Sequence, residues 1–199
     1  RKNYLIDTLD IWDQKLAYLS GKIICDRLKY IKVLNEIIKP IYFGMSSEKE
    51  NLKISYTRSA MHDMYAEQIS KIISTELKKN RDKDLYNTNT SIGPHRDDVE
   101  FFINDIPSKN FASQGQQRSI VLSLKLAESK ILNNKFSEAP IMLLDDVMSE
   151  LDESRQNYIL NSIEGRQIFI TCCELSTVTR LISGKVFNIN NGTISENKF

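Results

Sequence analysis

Between Leu5 and Ile23 apolar side chains recur at alternating intervals of four and three: Leu5, Leu9, Trp12, Leu16, Leu19, Ile23. The rhythm slips past Asp26 and resumes at Tyr30, Leu34 and Ile37. This heptad-like seam predicts one long helix, or two broken near Gly21, ending at Pro40. A helix pair packed in a globular core explains the seam better than an extended coiled coil. Leu52–Thr57 alternates as a short strand. Asp63–Lys79 carries a second helical pattern, with Met64, Ile69, Ile72, Ile73 and Leu77 on its apolar face. The polar, Asn- and Asp-rich stretch Asn80–Thr90 is expected to be an exposed connection.

From Thr90 onward the pattern changes. Val99–Ile103 reads as a strand followed by an Asn-Asp turn, and Gln116–Leu132 as a helix. The apolar run opening at Ile141, just after Pro140, predicts a strand buried on both faces. A helix over Glu153–Ile163 follows, with Asp152 placed to cap it. Gln167–Thr171 and Val186–Ile189 are further strands, the latter before an Asn-Asn-Gly turn. Alternating strands and helices imply the α/β class, with a mostly parallel sheet and flanking helices. The expected division is a mostly helical arm over 1–89 and a second domain over 90–199.

Composition narrows the classes without choosing one. The 199 residues are 41% hydrophobic and 27% charged, ordinary for a globular protein. No apolar stretch approaches the roughly 20 residues a membrane helix needs. Three cysteines, Cys25, Cys172 and Cys173, lack paired spacing, which disfavours a disulfide framework or zinc site and fits a reducing cytoplasm. Cys172 and Cys173, inside an apolar run, are expected as small core fillers. Net charge is +1, so no overall field advertises nucleic acid. Residues 1–90 carry 16 Lys and Arg against 12 Asp and Glu, a weak basic excess. Lys15, Lys22, Lys29 and Lys32 are the arm's candidates for phosphate contact.

Two constellations carry chemistry. In Ile-Met-Leu-Leu-Asp-Asp the acids fall at a strand's carboxyl end, where α/β sheets place ligands. Asp145 is positioned to help hold Mg²⁺, and Asp146 to orient a water beside a γ-phosphate. The plainer reading is a strand whose polar end turns into solvent. Ser113-Gln114-Gly115-Gln116-Gln117-Arg118, ahead of a helix, is either an anion cradle or an ordinary cap by Ser113. Arg96, in the Gly-Pro-His-Arg turn, either contacts phosphate or DNA or pairs with Asp97 or Asp98; His95 reads as structural, and His62 has no motif around it.

Ser-Gln-Gly-Gln-Gln-Arg followed by Leu-Leu-Asp-Asp-Val-Met-Ser-Glu-Leu-Asp resembles the signature motif, Walker B strand and D-loop of an ABC-type ATPase head. Together with Gly93-Pro94-His95-Arg96-Asp97-Asp98 and Leu124-Lys125-Leu126-Ala127-Glu128, the chain is most similar to the RecF family of the SMC-like branch. That resemblance implies the second lobe of such a head over 90–199. It gives Asp145 the metal, and Asp146 and Thr171 catalytic positions around the attacking water. Ser113, Gln114, Gly115 and Gln116, with Ser149 and Asp152 of the D-loop, would meet ATP held by the opposite subunit of an ATP-dependent homodimer. It implies DNA, double- and single-stranded, as ligand, RecO and RecR as partners, RecA indirectly, and a part in replication, recombinational repair and the SOS response.

No Gly-x-x-x-x-Gly-Lys-[Ser/Thr] phosphate loop occurs in the 199 residues. The expectation is therefore a C-terminal fragment that alone binds ATP weakly or not at all, hydrolysis belonging to a longer protein. Two other classes compete, a transporter's ATPase subunit and a non-catalytic interaction module.

Overall fold

In the computed structural model, residues 8–162, 166–173 and 184–197 are described, the side chains of Glu150 and Asn197 excepted. Leu5 of the seam and Ile163 of the last expected helix lie outside them. They divide into two compact units, Arg1–Ile131 and Leu132–Phe199.

One helix, α1 (Leu9–Met45), runs through Gly21 and past the expected end at Pro40. Its buried stripe is Ala17, Ser20, Gly21, Ile24, Leu28, Leu34, Ile38, Tyr42 and Met45. Much of the heptad seam faces outward instead: Trp12 is 62% exposed, and Leu19, Ile23 and Tyr30 are also exposed, whereas Leu34 belongs to the buried stripe. Two apolar stripes compete for the core, and the one with small residues wins because it lets a neighbour come close. A Cβ on Gly21 would lie 2.3 Å from the Ala66 carbonyl oxygen, at the start of α2 (Ala66–Asn87). Pro40 costs about 3 kcal/mol inside a helix. Fully burying side chains such as Tyr42 and Met45 beyond it stabilises by about 1.5–3 kcal/mol each, so the helix continues.

The helix α2 also overruns its expected end at Lys79, buries Ile69, Ile73 and Leu77, and stops at Thr88 in a left-handed conformation. Arg81 reaches Asp10 and Asp13 of α1 at 2.5 and 2.6 Å, so the polar stretch is an ion-paired helix rather than a loop. Strand β1 (Leu52–Tyr56) pairs antiparallel with β2 (Val99–Ile103), which turns at Asn104-Asp105 into β3 (Ile106–Pro107). Both turn residues have positive φ, as a two-residue hairpin with Asn and Asp prefers. The free edge of β1 meets Asn35, whose amide donates to the Ile54 carbonyl and accepts from its N–H, both at 2.8 Å. One core joins Leu34, Ile38, Tyr42, Leu52, Ile54, Ile103, Ile120 and Ala127; another joins Ala17, Ile24, Leu28, Tyr56, Ile69, Ile73 and Leu77. A short α3 (Ser108–Phe111) leads into α4 (Gln114–Phe136).

In the second unit, β4 (Met142–Asp145) and β5 (Ile168–Thr171) are parallel and joined through α5 (Glu153–Ser162), one βαβ unit. Strands β6 (Val186–Asn190) and β7 (Thr193–Asn197) form a hairpin around Asn191-Gly192. The class is α/β as expected. Among the described residues the parallel ladder is β4–β5; two-residue turns make β2–β3 and β6–β7 antiparallel, and β1 pairs antiparallel with β2 across the long connection that holds α2. One expectation fails on β4: Met142 and Leu144 are buried, but Leu143 is 75% exposed, so a single face is covered.

Candidate functional site

The serine loop is built by reciprocal capping. Gln116 N–H donates to Ser113 Oγ at 3.2 Å, while Ser113 N–H donates to Gln116 Oε1 at 2.8 Å. Ser113 and Gln114 are exposed, Gly115 and Gln116 half-buried. The first N–H groups of a helix have no partner within it, and its N-terminal dipole attracts anions. Cap and cradle are thus compatible: the cap orients the turn, and the N–H groups of Gln114 and Gly115 belong to the end that attracts anions. Gln116 is committed on its other side too, since Nε2 donates to Glu50 Oε1 at 2.7 Å.

The acidic end of β4 is equally determined by its neighbours. Register places Asp145 opposite Thr171. The Thr171 hydroxyl donates to Asp145 Oδ1 at 2.5 Å and accepts from the Asp146 N–H at 3.0 Å. The Ser149 hydroxyl lies 2.9 Å from both the carbonyl and the Oδ1 of Asp146. Asp145, Asp146, Ser149 and Thr171 therefore form one exposed network at the strand end. Asp152 is spent differently: its Oδ1 accepts the Arg155 N–H at 2.9 Å as the cap of α5, and Oδ2 meets the Arg155 guanidinium. The Arg155 backbone N–H, then its charge, hold the Asp152 carboxyl below its ordinary value.

Some residues fall elsewhere than the sequence suggested. Arg96 pairs with neither Asp97 nor Asp98 in the polar contacts of its turn; its Nε donates to the Thr90 carbonyl, with His95 Nε2 3.2 Å from the same oxygen. Asp97 is held by Arg58 at 2.9 Å and by the Tyr56 hydroxyl at 2.5 Å. Cys173 is exposed and Cys172 half-buried, so neither is a core filler. Burial, then Cys173 and Asp146, push the Cys172 thiol up. Two residues carried no sequence signal: Glu50, alone in a loop, and Gln156, whose amide ties the Met148 and Leu151 carbonyls at the turn holding Ser149.

No family model matches the chain. Over 192 residues it is 41% identical to the DNA replication and repair protein RecF of Clostridium acetobutylicum, and 43% to that of Streptococcus agalactiae, covering 96% of this chain each time. A solved structure described as the recombination mediator protein RecF-ATPrS in the RecFOR pathway superposes with a TM-score of 0.80 at 37% identity, again over 96% of the chain. Over nearly its whole length this chain is similar to RecF proteins. It spans about half the length of the RecF relatives it matches, 52% of the two bacterial proteins and 50% of the solved chain. A second RecF structure, described with ATP, matches with the same TM-score at 35% identity. Among the described residues, no helix is long and apolar enough to cross a membrane.

Proposed function

We propose that this chain supplies two half-sites of a RecF-type ATPase that closes on DNA as an ATP-dependent homodimer in replication and recombinational repair. The network of Asp145, Asp146, Ser149 and Thr171 at an exposed strand end carries the reading. The exposed serine loop and the similarity to RecF relatives support it.

The donors suit Mg²⁺. Thr171 engages Oδ1 of Asp145 and leaves the Oδ2 side for a metal, and Mg²⁺ characteristically takes one or two carboxylates plus water and substrate phosphates. ATP with Mg²⁺ supplies the terminal phosphoryl group that is lost on hydrolysis. Asp145 holds the ion, Thr171 fixes Asp145, and Asp146 polarises the attacking water. Ser113, Gln114 and Gly115 stabilise the phosphate of a partner's nucleotide with hydroxyl and N–H groups, and Ser149 and Asp152 line the facing D-loop. A carboxylate has charge to polarise water, whereas the Thr171 hydroxyl orients through hydrogen bonds alone. In this reading DNA, single- or double-stranded, lies across the dimer, RecO and RecR are the direct partners, and RecA the indirect one.

The test uses the full-length protein that carries these residues. Asp146→Asn should lower DNA-stimulated ATP turnover by about 10²-fold or more, the scale of general-base catalysis, and accumulate the ATP-bound dimer. Ser113→Arg should abolish ATP-driven dimerisation and spare nucleotide binding. Unchanged turnover in Asp146→Asn defeats the proposal.

A further inference from the structure

The serine loop is tied to the far end of α1 by an unbroken chain of hydrogen bonds. The Tyr42 hydroxyl donates to Glu50 Oε2 at 2.9 Å, and Gln116 Nε2 donates to Glu50 Oε1 at 2.7 Å. Gln116 Oε1 in turn accepts the Ser113 N–H at 2.8 Å. Tyr42 is fully buried, so its ring cannot move without disturbing the core. The Glu50 backbone is anchored too, its N–H donating to Ser46 Oγ at 3.1 Å just past α1.

We infer that Glu50 is a positioning residue for the serine loop, holding Gln116 as an internal brace instead of a phosphate ligand. A carboxylate only accepts hydrogen bonds, so it turns the Gln116 amide nitrogen toward itself. The amide oxygen is thereby directed at the Ser113 N–H, the one orientation in which Gln116 completes the capping box. A flipped amide would set oxygen against carboxylate and nitrogen against a backbone donor. Glu50 thus fixes the direction of a side chain whose two ends look alike in size and shape. Of the four loop residues, Ser113, Gln114 and Gly115 are left to meet a ligand. Tyr42 and Ser46 extend the same chain into α1, so a shift at the end of that helix reaches Ser113 without touching bound nucleotide.

This inference rests on the proposed role of the serine loop in dimerisation. It is tested in the full-length protein with Glu50→Ala, Glu50→Gln, Tyr42→Phe and Ser113→Arg. Three quantities are read: ATP-dependent dimerisation by sedimentation, binding of a fluorescent ATP analogue to the protomer, and the melting temperature. A hydrogen bond to a charged group contributes enough that Glu50→Ala should weaken ATP-driven dimerisation about tenfold. Analogue binding should not change, and raising the protein concentration should restore kcat. Glu50→Gln keeps an acceptor oxygen but no longer dictates the flip, so it should fall between wild type and Glu50→Ala, and Tyr42→Phe should act in the same direction. Glu50→Gln also covers the case in which Glu50→Ala lowers the melting temperature. Wild-type dimerisation in both Glu50 variants, with Ser113→Arg defective, overturns the bracing role alone. Normal dimerisation in Ser113→Arg overturns the underlying reading of the loop instead.

Discussion

Asn35 lends α1 the hydrogen-bonding edge of a strand. Its side-chain amide satisfies both backbone groups of Ile54 on the open edge of β1, where an unpaired strand otherwise invites association. Asn35→Leu should destabilise the first unit by about 1–3 kcal/mol, the cost of leaving buried polar groups unmet. Urea unfolding with an unchanged m-value would show it. Asp152 gives a pH signature. Its folded pKa lies below the ordinary carboxylate value, chiefly through the Arg155 N–H. The stabilisation is therefore complete above the unfolded value near pH 4 and disappears as pH falls through the lower folded value. Acid unfolding followed at α5 should lose that dependence in Asp152→Asn, which keeps the cap without the charge. Asp152 was legible because a cap needs only its own residue and the helix after it. Asn35 and Glu50 were not, since their partners are 19 and 66 residues away.

Periodicity revealed α1 but not which of its faces is buried. Large residues at Trp12, Leu19, Ile23 and Tyr30 drew the eye, yet the interior takes the stripe with Ala17, Ser20 and Gly21. Close approach to α2 at Gly21 decides this, a property of two helices that one pattern cannot encode. Composition likewise suggested a loop after Lys79, whereas cross-helix pairing of Arg81 with Asp10 and Asp13 keeps those turns helical. Arg81→Ala should speed amide hydrogen exchange over residues 80–87 and at the start of α1, leaving Ile69 and Ile73 protected. Uniform exchange across α2 in the variant would refute that local role. The two constellations were readable for the opposite reason: each lies within one turn or one strand end, so sequence neighbours are also spatial neighbours.

The α/β class was visible in the alternation of elements, and the RecF likeness in two short motifs. Strand direction was not. Asn104-Asp105 and Asn191-Gly192 make antiparallel hairpins whose return strands, Ile106–Pro107 and Thr193–Asn197, no apolar run announces, while β4 and β5 are parallel. The two units also differ in how much apolar surface they remove from water. In Leu132–Phe199 the buried hydrophobics among the described residues are Met142, Leu144, Met148, Leu151 and Ile159, against two extensive clusters in the first unit. Leu143 and Phe169 of the β4–β5 pair are exposed. Native-state exchange in increasing denaturant should therefore open β4 amides before the buried stripe of α1, since local stability follows buried contacts. Simultaneous opening would mean that the units unfold as one.

Asp146 sits at φ 49°, on the left-handed side of backbone space. Only short polar side chains, able to hydrogen-bond locally, and glycine visit that region readily. The Asp146 carboxylate uses that shortness to meet the Ser149 hydroxyl at 2.9 Å within its own turn. Backbone curvature at this corner thus suits a short side chain that bonds locally, as Asp146 does with Ser149. It also makes asparagine the clean probe, because alanine would confound a lost charge with a distorted bend.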